Sequence, residues 1–167
     1  MKKVQQTVKR RRFEGKTDYL ARLELLSSRQ PRIVVRKTNR YILAQLVHSD
    51  LAQDKVDAGV SSKDLLTLGW PKELEGSLKS LPAAYLTGLL LAQKARNVKE
   101  AILDIGLQRN VKGSRIYAVL KGLIDKGLKV PHSAEALPND KRLEENTRTR
   151  ETFVKLKEKL MHGRKGN

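Results

Sequence analysis

Residues 32–48 read RIVVRKTNRYILAQLVH, and this stretch decides the fold class. The three consecutive β-branched residues Ile33, Val34 and Val35 are typical of a buried strand. Residues 37–40 predict a turn, because asparagine tolerates the positive φ that a tight turn requires. The apolar stretch over 41–48 predicts a second strand, so the two strands are expected to form an antiparallel β-hairpin.

The segment before the hairpin predicts a short helix behind a basic arm. Thr17 and Asp18 can cap a helix, and the leucines that follow support one over about 17–27. Pro31 ends this helical segment, because proline disfavours helical backbone at the residue before it. Residues 1–16 have no sustained apolar period, so we expect them to be disordered without a partner.

The elements after the hairpin complete the prediction of an α/β fold. They are a polar loop over 50–54, a third strand over 55–60, a short helix over 61–68, a surface loop over 72–80, a buried helix over 82–97, a fourth strand over 101–105, a helix over 114–127, an extended segment over 130–140 and a last helix over 147–161. A helical crossover favours parallel neighbours, so the order predicts a mixed sheet covered by helices.

Charge is concentrated at the two ends of the chain. The sequence has 35 basic and 18 acidic residues, a formal net charge of +17 and a pI near 10.3. Residues 1–40 hold 13 basic and 3 acidic side chains, residues 41–140 hold 13 and 11, and residues 141–167 hold 9 and 4. A nearly neutral body with basic extensions is typical of a nucleic-acid-binding protein.

This distribution suggests three parts. Residues 1–30 are expected to form the basic N-terminal arm and short helix, residues 31–130 the α/β body, and residues 131–167 an extended segment and basic C-terminal helix. The last helix has a narrow apolar stripe of Phe153 and Leu156 with Leu160. Such a stripe suits docking either on a partner or on the body.

The composition excludes several classes of protein. There is no cysteine, so disulfides and thiolate metal sites are excluded and a reducing, cytosolic setting fits. No apolar run is long enough to span a bilayer, and the basic N-terminus has no signal-peptide pattern, so we expect no membrane association. Aromatic residues make up only 4%, which favours phosphate and sugar contacts over an aromatic stacking platform.

Candidate catalytic and metal-binding residues are few. Asp57 and Asp104 lie on predicted strands, where two carboxylates could bind a divalent metal in a ribonuclease-H-like nuclease. No further carboxylates complete such a cluster. His48, His132 and His162 have no second ligand at a helical spacing of three or four. We therefore predict no catalytic residue, metal or cofactor, with a nuclease and a general DNA-binding protein as the alternatives.

Basic side chains around the first helix and the hairpin are the predicted RNA contacts. The cations at 9–12 and 16 precede a helix N-terminus, where backbone N–H groups also attract phosphate. Phe13 and Tyr19 lie among these charges and could stack on an unpaired base or a sugar, while Tyr19 suits the local core equally well. The full predicted set is Lys9, Arg10, Arg11, Arg12, Phe13, Lys16, Thr17, Tyr19, Arg22, Arg32, Arg36, Lys37, Thr38, Asn39 and Arg40.

Several motifs, taken in order, resemble one protein family. They include Arg10-Arg11-Arg12, Gly15-Lys16-Thr17-Asp18-Tyr19, Pro31-Arg32-Ile33-Val34-Val35-Arg36-Lys37-Thr38-Asn39, Pro82-Ala83-Ala84-Tyr85-Leu86-Thr87-Gly88-Leu89-Leu90, Leu103-Asp104-Ile105-Gly106-Leu107, Gly113-Ser114-Arg115 and Val130-Pro131-His132-Ser133. Together they look like the universal large-subunit ribosomal protein family that binds 5S ribosomal RNA, number eighteen in the universal naming, in its archaeal and eukaryotic branch.

The resemblance implies a fold, a location and a set of contacts. The fold is a three-layer α/β/α body with a mixed sheet, the ribonuclease-H-like arrangement without its catalytic acids. The location is the central protuberance of the cytoplasmic ribosome, against 5S rRNA, nearby large-subunit rRNA and neighbouring ribosomal proteins. Thr38 stands where the family has serine, and the basic end at 163–167 resembles archaeal members. The implied RNA contacts are Arg10, Arg11, Arg12, Lys16, Thr17, Tyr19, Arg22, Arg36 and Asn39.

Overall fold

A four-stranded mixed sheet organises the chain. The computed structural model describes residues 7–50 and 53–162. The strands are β1 (Arg32–Lys37), β2 (Ile42–Asp50), β3 (Gln53–Ser61) and β4 (Ile102–Asp104), in the order β3-β2-β1-β4. β1 pairs antiparallel with β2 and parallel with β4, and β2 pairs antiparallel with β3. The predicted hairpin and the predicted mixed sheet are confirmed.

Alternation along β1 separates a core face of the sheet from an open face. Ile33 and Val35 are fully buried in the apolar core. Successive side chains of a strand point to opposite faces, so Arg32 and Arg36 lie on the other side of the sheet. The open face therefore carries the two arginines of the first strand.

Helices cover both faces of the sheet. In the described part of the chain the α-helices are α1 (Arg10–Phe13), α2 (Tyr19–Ser27), α3 (Leu65–Leu68), α4 (Leu81–Lys94), α5 (Arg115–Asp125), α6 (Asp140–Glu144) and α7 (Thr147–His162). α4 packs on β2 and β3, and α5 packs on β1, so these two helices form the layer on the core face. α2 reaches the open face through an ion pair between Arg22 and Asp54. The three-layer α/β/α arrangement is as expected.

α4 and α5 meet backbone to backbone at two glycines. A Cβ atom on Gly88 would overlap the carbonyl oxygen of Val119, and a Cβ atom on Gly122 would overlap the carbonyl oxygen of Tyr85. Every residue from Pro82 to Leu91 is buried, as the apolar sequence of this helix predicts. The spacing of the two helices is therefore fixed by their backbones and leaves no room for a side chain at either glycine.

The C-terminal helix docks on the body of the protein. Phe153, Leu156 and Leu160 of α7 are at most 4% exposed. The Phe153 ring meets the Tyr85 ring edge to face, with 5.7 Å between the centroids. The Tyr85 hydroxyl is held by the Asp125 carboxylate at 2.7 Å, and burial together with this hydrogen bond raises the pKa of Tyr85. The apolar stripe of α7 was expected to dock either on a partner or on the body, and it docks on the body.

Several element boundaries differ from the prediction. The polar loop predicted over 50–54 is largely strand, because β2 continues to Asp50 and β3 begins at Gln53. Residues 51 and 52 lie outside the described chain, as do the predicted arm residues 1–6 and the basic end at 163–167. The outer half of β3 is exposed on both faces, so it lacks the apolar alternation on which strand prediction depends.

Two short helices also depart from the prediction. The arm is predicted to be disordered, yet residues 10–13 form one helical turn, in which the carbonyl oxygen of Lys9 accepts the N–H groups of Arg12 and Phe13. α6 lies where the sequence predicts irregular structure, because five residues are too few to show a helical period. Across the described residues, none of the helices has both the length and the apolarity needed to cross a bilayer.

Candidate nucleic-acid interface

The cations of the N-terminal arm, residues 9–16, are exposed to solvent. Phe13 lies among them with 85% of its surface exposed. Glu14 is the acidic residue of this segment, and its carboxylate lies 2.8 Å from Lys16 Nζ and 3.8 Å from Arg10 Nε. One carboxylate cannot neutralise five cations, so the arm keeps a strong positive charge.

The start of α2 is anchored to the arm. Asp18 caps α2 by accepting two backbone N–H groups of its first turn, at 2.9 and 3.2 Å. The Arg11 Nε–H donates to Thr17 Oγ1 at 2.9 Å. The Lys9 ammonium lies 4.4 Å from the centroid of the Tyr19 ring, a cation–π contact. Tyr19 therefore packs beside the arm and stands outside the apolar core.

Two aspartates connect α2 to three strands on the open face of the sheet. Asp104 Oδ2 accepts from Arg32 Nη1 at 3.0 Å, and Asp104 Oδ1 accepts from Arg36 Nη2 at 2.8 Å. Asp54 Oδ1 accepts from Arg32 Nη2, and Asp54 Oδ2 accepts from Arg22 Nη2, both at 2.8 Å. These five side chains form a continuous arginine–aspartate network.

Arg32 lies at the centre of this network, which corrects its predicted place on the surface. The residue is only 2% exposed, and its Nη2 also donates to Ser49 Oγ at 2.9 Å. The side chain is buried because Asp54 and Asp104 approach it from the two sides of β1. Arg32 therefore anchors the charged residues around it and has almost no surface that RNA could contact.

Arg36 is held by the same network but remains partly open to solvent. Its side chain is 39% exposed, and its Nη1 donates to the carbonyl oxygens of Val35 and Asp104 at 2.9 and 2.8 Å. Gly106, at φ +59°, makes room for the guanidinium, because a Cβ atom there would lie 2.9 Å from Arg36 Cζ. The exposed edge of this fixed guanidinium is available to a phosphate.

The hairpin turn is closed by Thr38. Its hydroxyl donates to the carbonyl oxygen of Tyr41 at 2.8 Å and accepts the Tyr41 N–H at 2.9 Å. A serine hydroxyl could make the same two bonds, so the departure from the family pattern is conservative. The neighbouring Lys37, Asn39 and Arg40 are exposed.

The structure sorts the predicted residues into neighbouring recesses. Five of them line a groove of about 650 Å³ between α2 and β4, which we call the arm groove: Arg11, Lys16, Thr17, Arg22 and Arg36. Lys37 lines a larger adjoining cavity, and Gln108 lines both. Asn39 and Arg40 open into a separate recess beside Tyr41. The turn residues are therefore set apart from the arm groove.

Neither candidate catalytic aspartate has the surroundings of a metal site. Asp104 is occupied by two arginines, whereas Asp57 lies 2.7 Å from His48 Nδ1 on the exposed part of β3. β3 and β4 are the opposite edges of the sheet, so the two carboxylates are separated by two strands. Over residues 7–50 and 53–162, no group of three or more His, Cys, Asp or Glu side chains could hold a metal ion.

Asp54 was missed by the sequence reasoning, and it carries a pH dependence. Burial raises its pKa, but hydrogen bonds from Ser49, Arg22 and Arg32 outweigh burial and lower the pKa to about 2. An unfolded aspartate titrates near pH 3.9, about two units higher. The stabilisation from Asp54 is therefore fully present above about pH 4 and is lost as the pH falls through about 2.

We expect Asp54→Asn to flatten this acid dependence. Urea unfolding at pH 5, 4, 3 and 2 should show a smaller loss of unfolding free energy on acidification in the variant than in the wild type. Asp57→Asn, on the same strand but paired only with the exposed His48, is the matched control. Equal acid sensitivity of the Asp54 variant and the wild type would contradict the proposed role of this carboxylate.

A family model and individual relatives both match this chain to large-subunit ribosomal proteins. A model of the family described as "Ribosomal large subunit proteins 60S L5, and 50S L18" matches residues 2–100 and 93–133. The "Large ribosomal subunit protein uL18" of Korarchaeum cryptofilum (strain OPF8) is 54% identical over 136 residues, which cover 80% of this chain and 68% of the relative. The protein of the same name from Methanoculleus marisnigri is 52% identical over 136 residues, 80% of this chain and 75% of the relative. That from Methanococcoides burtonii is 43% identical over 162 residues, 91% of each chain.

Proposed function

Because the chain belongs to the family of large-subunit ribosomal proteins that includes 60S L5 and 50S L18, we propose that it binds 5S ribosomal RNA and helps attach it in the central protuberance. As a member of this family it is a structural component of the large ribosomal subunit in the cytoplasm, and not an enzyme. The nuclease alternative is therefore wrong. The proposed partners include nearby large-subunit rRNA and neighbouring ribosomal proteins.

The observation that carries the proposal is the arm groove with its exposed cations. Arg11, Lys16, Arg22 and Arg36 line one groove, and the remaining arm cations are exposed around it. Phosphate groups bound there would release counterions from the RNA, which supplies affinity and makes that affinity depend on salt. The exposed arm cations beside the groove add to the four that line it, so a phosphate backbone laid along the groove would meet more cations than carboxylates.

Fixed and exposed elements of this surface have different tasks in the proposed mechanism. The arginine–aspartate network holds Arg22 and Arg36 in set positions, so these two side chains lose little freedom when RNA binds. Phe13 is free to stack on an unpaired base or a sugar. Recognition thus combines charge neutralisation by the arm with shape matching by the groove.

The exposed apolar side of α2 supports contact with a further component of the subunit. Leu20 and Leu23, one turn apart, are 70% and 63% exposed. Large apolar side chains exposed side by side on one helix are typical of an interaction surface. We propose that a neighbouring ribosomal protein or RNA segment covers them.

Neutralising the arm tests this function. We expect the triple variant Arg10→Gln, Arg11→Gln, Arg12→Gln to bind 5S rRNA more weakly, with the slope of log affinity against log salt reduced by about 2 to 3. Binding should weaken because three phosphate contacts are lost. None of the three side chains is buried, so folding should be unaffected. Filter binding at several salt concentrations measures both quantities.

The control is a triple variant with the same change in charge away from the arm. Lys63→Gln, Arg96→Gln and Lys99→Gln alter three exposed cations and should leave the salt dependence nearly unchanged. Deleting residues 1–16 should reduce affinity at least as much as the arm variant does. If the deletion left both affinity and salt dependence unchanged, the arm mechanism would be wrong. Displacement of the RNA by duplex DNA at equal concentration would instead support the general DNA-binding alternative.

A further inference from the structure

A second basic cavity lies next to the arm groove, between the N-termini of α4 and α5. It has a volume of about 820 Å³ and is lined by Lys37, Arg109, Lys112, Arg115 and Arg142. We call it the α4/α5 pocket. Glu145 is the carboxylate that lines it, so the charge of the wall is strongly positive. Charge of one sign in a concave surface attracts the opposite charge more strongly than the same residues on a flat one.

Four of the five cations of the α4/α5 pocket are not neutralised by any carboxylate among the described residues. Lys112 pairs with Glu135 at 2.6 Å in an exposed ion pair. In the part of the chain that the structure describes, Lys37, Arg109, Arg115 and Arg142 make no ion pair and no side-chain hydrogen bond. Four guanidinium or ammonium groups facing one cavity without a carboxylate partner repel one another, and that arrangement is stabilised by a bound anion.

The two helix starts at the pocket supply uncharged donors as well. Ser80 and Ser114 are the residues that precede α4 and α5, and both line the cavity. Neither side chain caps its helix, and both hydroxyl oxygens are buried without a hydrogen-bond partner among the described residues. Buried hydroxyl groups are normally satisfied, and helix N-termini carry free N–H groups with a partial positive charge.

The turn before α5 is shaped to bring an arginine against the helix start. Gly113 has φ +65°, and a Cβ atom there would lie 2.7 Å from Arg142 Nη1. The N–H of Gly113 donates to the carbonyl oxygen of Ala136 at 2.8 Å, which fixes the turn against the segment before α6. The Arg142 guanidinium is therefore packed against Gly113, two residues before α5, in the lining of the pocket.

We propose that the α4/α5 pocket binds a phosphate group of the ribosomal RNA backbone, as a second RNA contact next to the arm groove. The inference rests on the proposed function and extends it to Arg109, Arg115 and Arg142, which are not among the predicted RNA contacts. The pocket adjoins the arm groove at Gln108, and Lys37 continues β1 from Arg36 into it. A polyanion that follows the arm groove would thus reach the edge of the pocket at Gln108.

The first test measures RNA binding by the full chain. Arg115→Gln with Arg142→Gln removes two cations of the pocket, and Arg96→Gln with Lys99→Gln removes two exposed cations near the opposite end of α4. Binding to 5S rRNA and to large-subunit rRNA freed of 5S rRNA is measured in parallel over a range of salt. We expect the pocket variant to bind at least one of them about 5- to 50-fold more weakly, with a salt slope lower by about 1 to 2, and the control to match the wild type.

The second test reads the pocket directly. In amide NMR spectra of the full chain, inorganic phosphate and each RNA are added separately, and the signals of residues 113–116 are followed. Shifts with RNA in the wild type, absent in the pocket variant, support the proposal. If inorganic phosphate also shifts these signals, a free phosphate ion is sufficient for binding to the pocket. If only RNA shifts them, the pocket binds a phosphate group only as part of an RNA chain. Arg115→Lys with Arg142→Lys should restore most of the affinity.

The outcomes separate this proposal from the proposed function. If the wild type binds 5S rRNA, the arm variant weakens it, and the pocket variant binds both RNAs as the wild type does, the pocket proposal is overturned while the function stands. The pocket proposal would also be overturned if an acidic peptide shifted the amide signals of residues 113–116 and neither RNA did. If the wild type bound no ribosomal RNA, the proposed function would fail first.

Discussion

Replacing Asp104 with alanine is expected to lower the free energy of unfolding by about 3 kcal/mol, because the change removes the carboxylate that pairs with both Arg32 and Arg36 and leaves the buried Arg32 guanidinium with Asp54 alone. Arg32 is 2% exposed, and its Nε already has no hydrogen-bond partner among the described residues. The Arg32 Nη1–H that loses its acceptor cannot recover its hydration in the folded state, so the remaining pair with Asp54 should not offset the loss. Urea unfolding followed by circular dichroism measures the difference.

The matched control for Asp104→Ala is Asp57→Ala, the other aspartate on a strand. Its partner His48 is exposed, so the expected loss is below about 1 kcal/mol. Asp104→Asn should fall between the two, since it keeps an acceptor for one arginine but removes the charge. If Asp104→Ala and Asp57→Ala lowered the free energy of unfolding by the same amount, the buried arginine–aspartate network would contribute no more to stability than an exposed ion pair.

We expect the second large effect at the contact between α4 and α5. Gly→Ala in a helix normally stabilises it by about 1 kcal/mol. Gly122→Ala should have the opposite sign and cost about 3 kcal/mol or more, because the new methyl group overlaps the Tyr85 carbonyl oxygen and forces the two backbones apart. Gly88→Ala should behave alike, through the Val119 carbonyl oxygen.

Thermal and urea unfolding of the glycine variants should be compared with Gly59→Ala. A Cβ atom on Gly59 meets only the side chain of Gln45 at 3.7 Å, an ordinary contact, so this substitution should be nearly neutral. A neutral or stabilising Gly122→Ala would mean that α4 and α5 can separate at little cost, and the backbone contact would not hold the helices in place.

The sequence predicted those parts of the fold whose pattern is local. The run Ile33-Val34-Val35 and the apolar residues from Pro82 onward each identify their element without reference to the rest of the chain. The third strand was predicted from residue 55, but the first two residues of β3 and the single turn of α6 were not predicted, because they are too polar or too short to show a period. The three-part division of the chain stays a prediction.

The candidate site was predicted less completely, for a physical reason. Arm cations are adjacent in sequence and exposed, so their charge alone identified them. The network joins Arg22, Arg32 and Asp104, and such long-range pairs are fixed only by strand register and helix placement. Ser114 was expected to begin a helix, but nothing in the sequence places it beside the start of α4. The composition therefore indicates that the ligand is a polyanion, whereas the topology of the fold determines which residues can contact it.

The glycine contact between α4 and α5 also bears on the kinetics of binding. Since backbone packs on backbone there, the helix starts beyond it at Ser80 and Ser114 are held at one separation, and a ligand would find the pocket already formed. The arm helix buries none of its residues, so the arm gives up conformational freedom when it binds. Electrostatic steering by an exposed charged arm accelerates encounter, whereas most differences in affinity arise from the rate of release. If both surfaces bind RNA as proposed, the arm should mainly set the association rate and the pocket should mainly set the residence time.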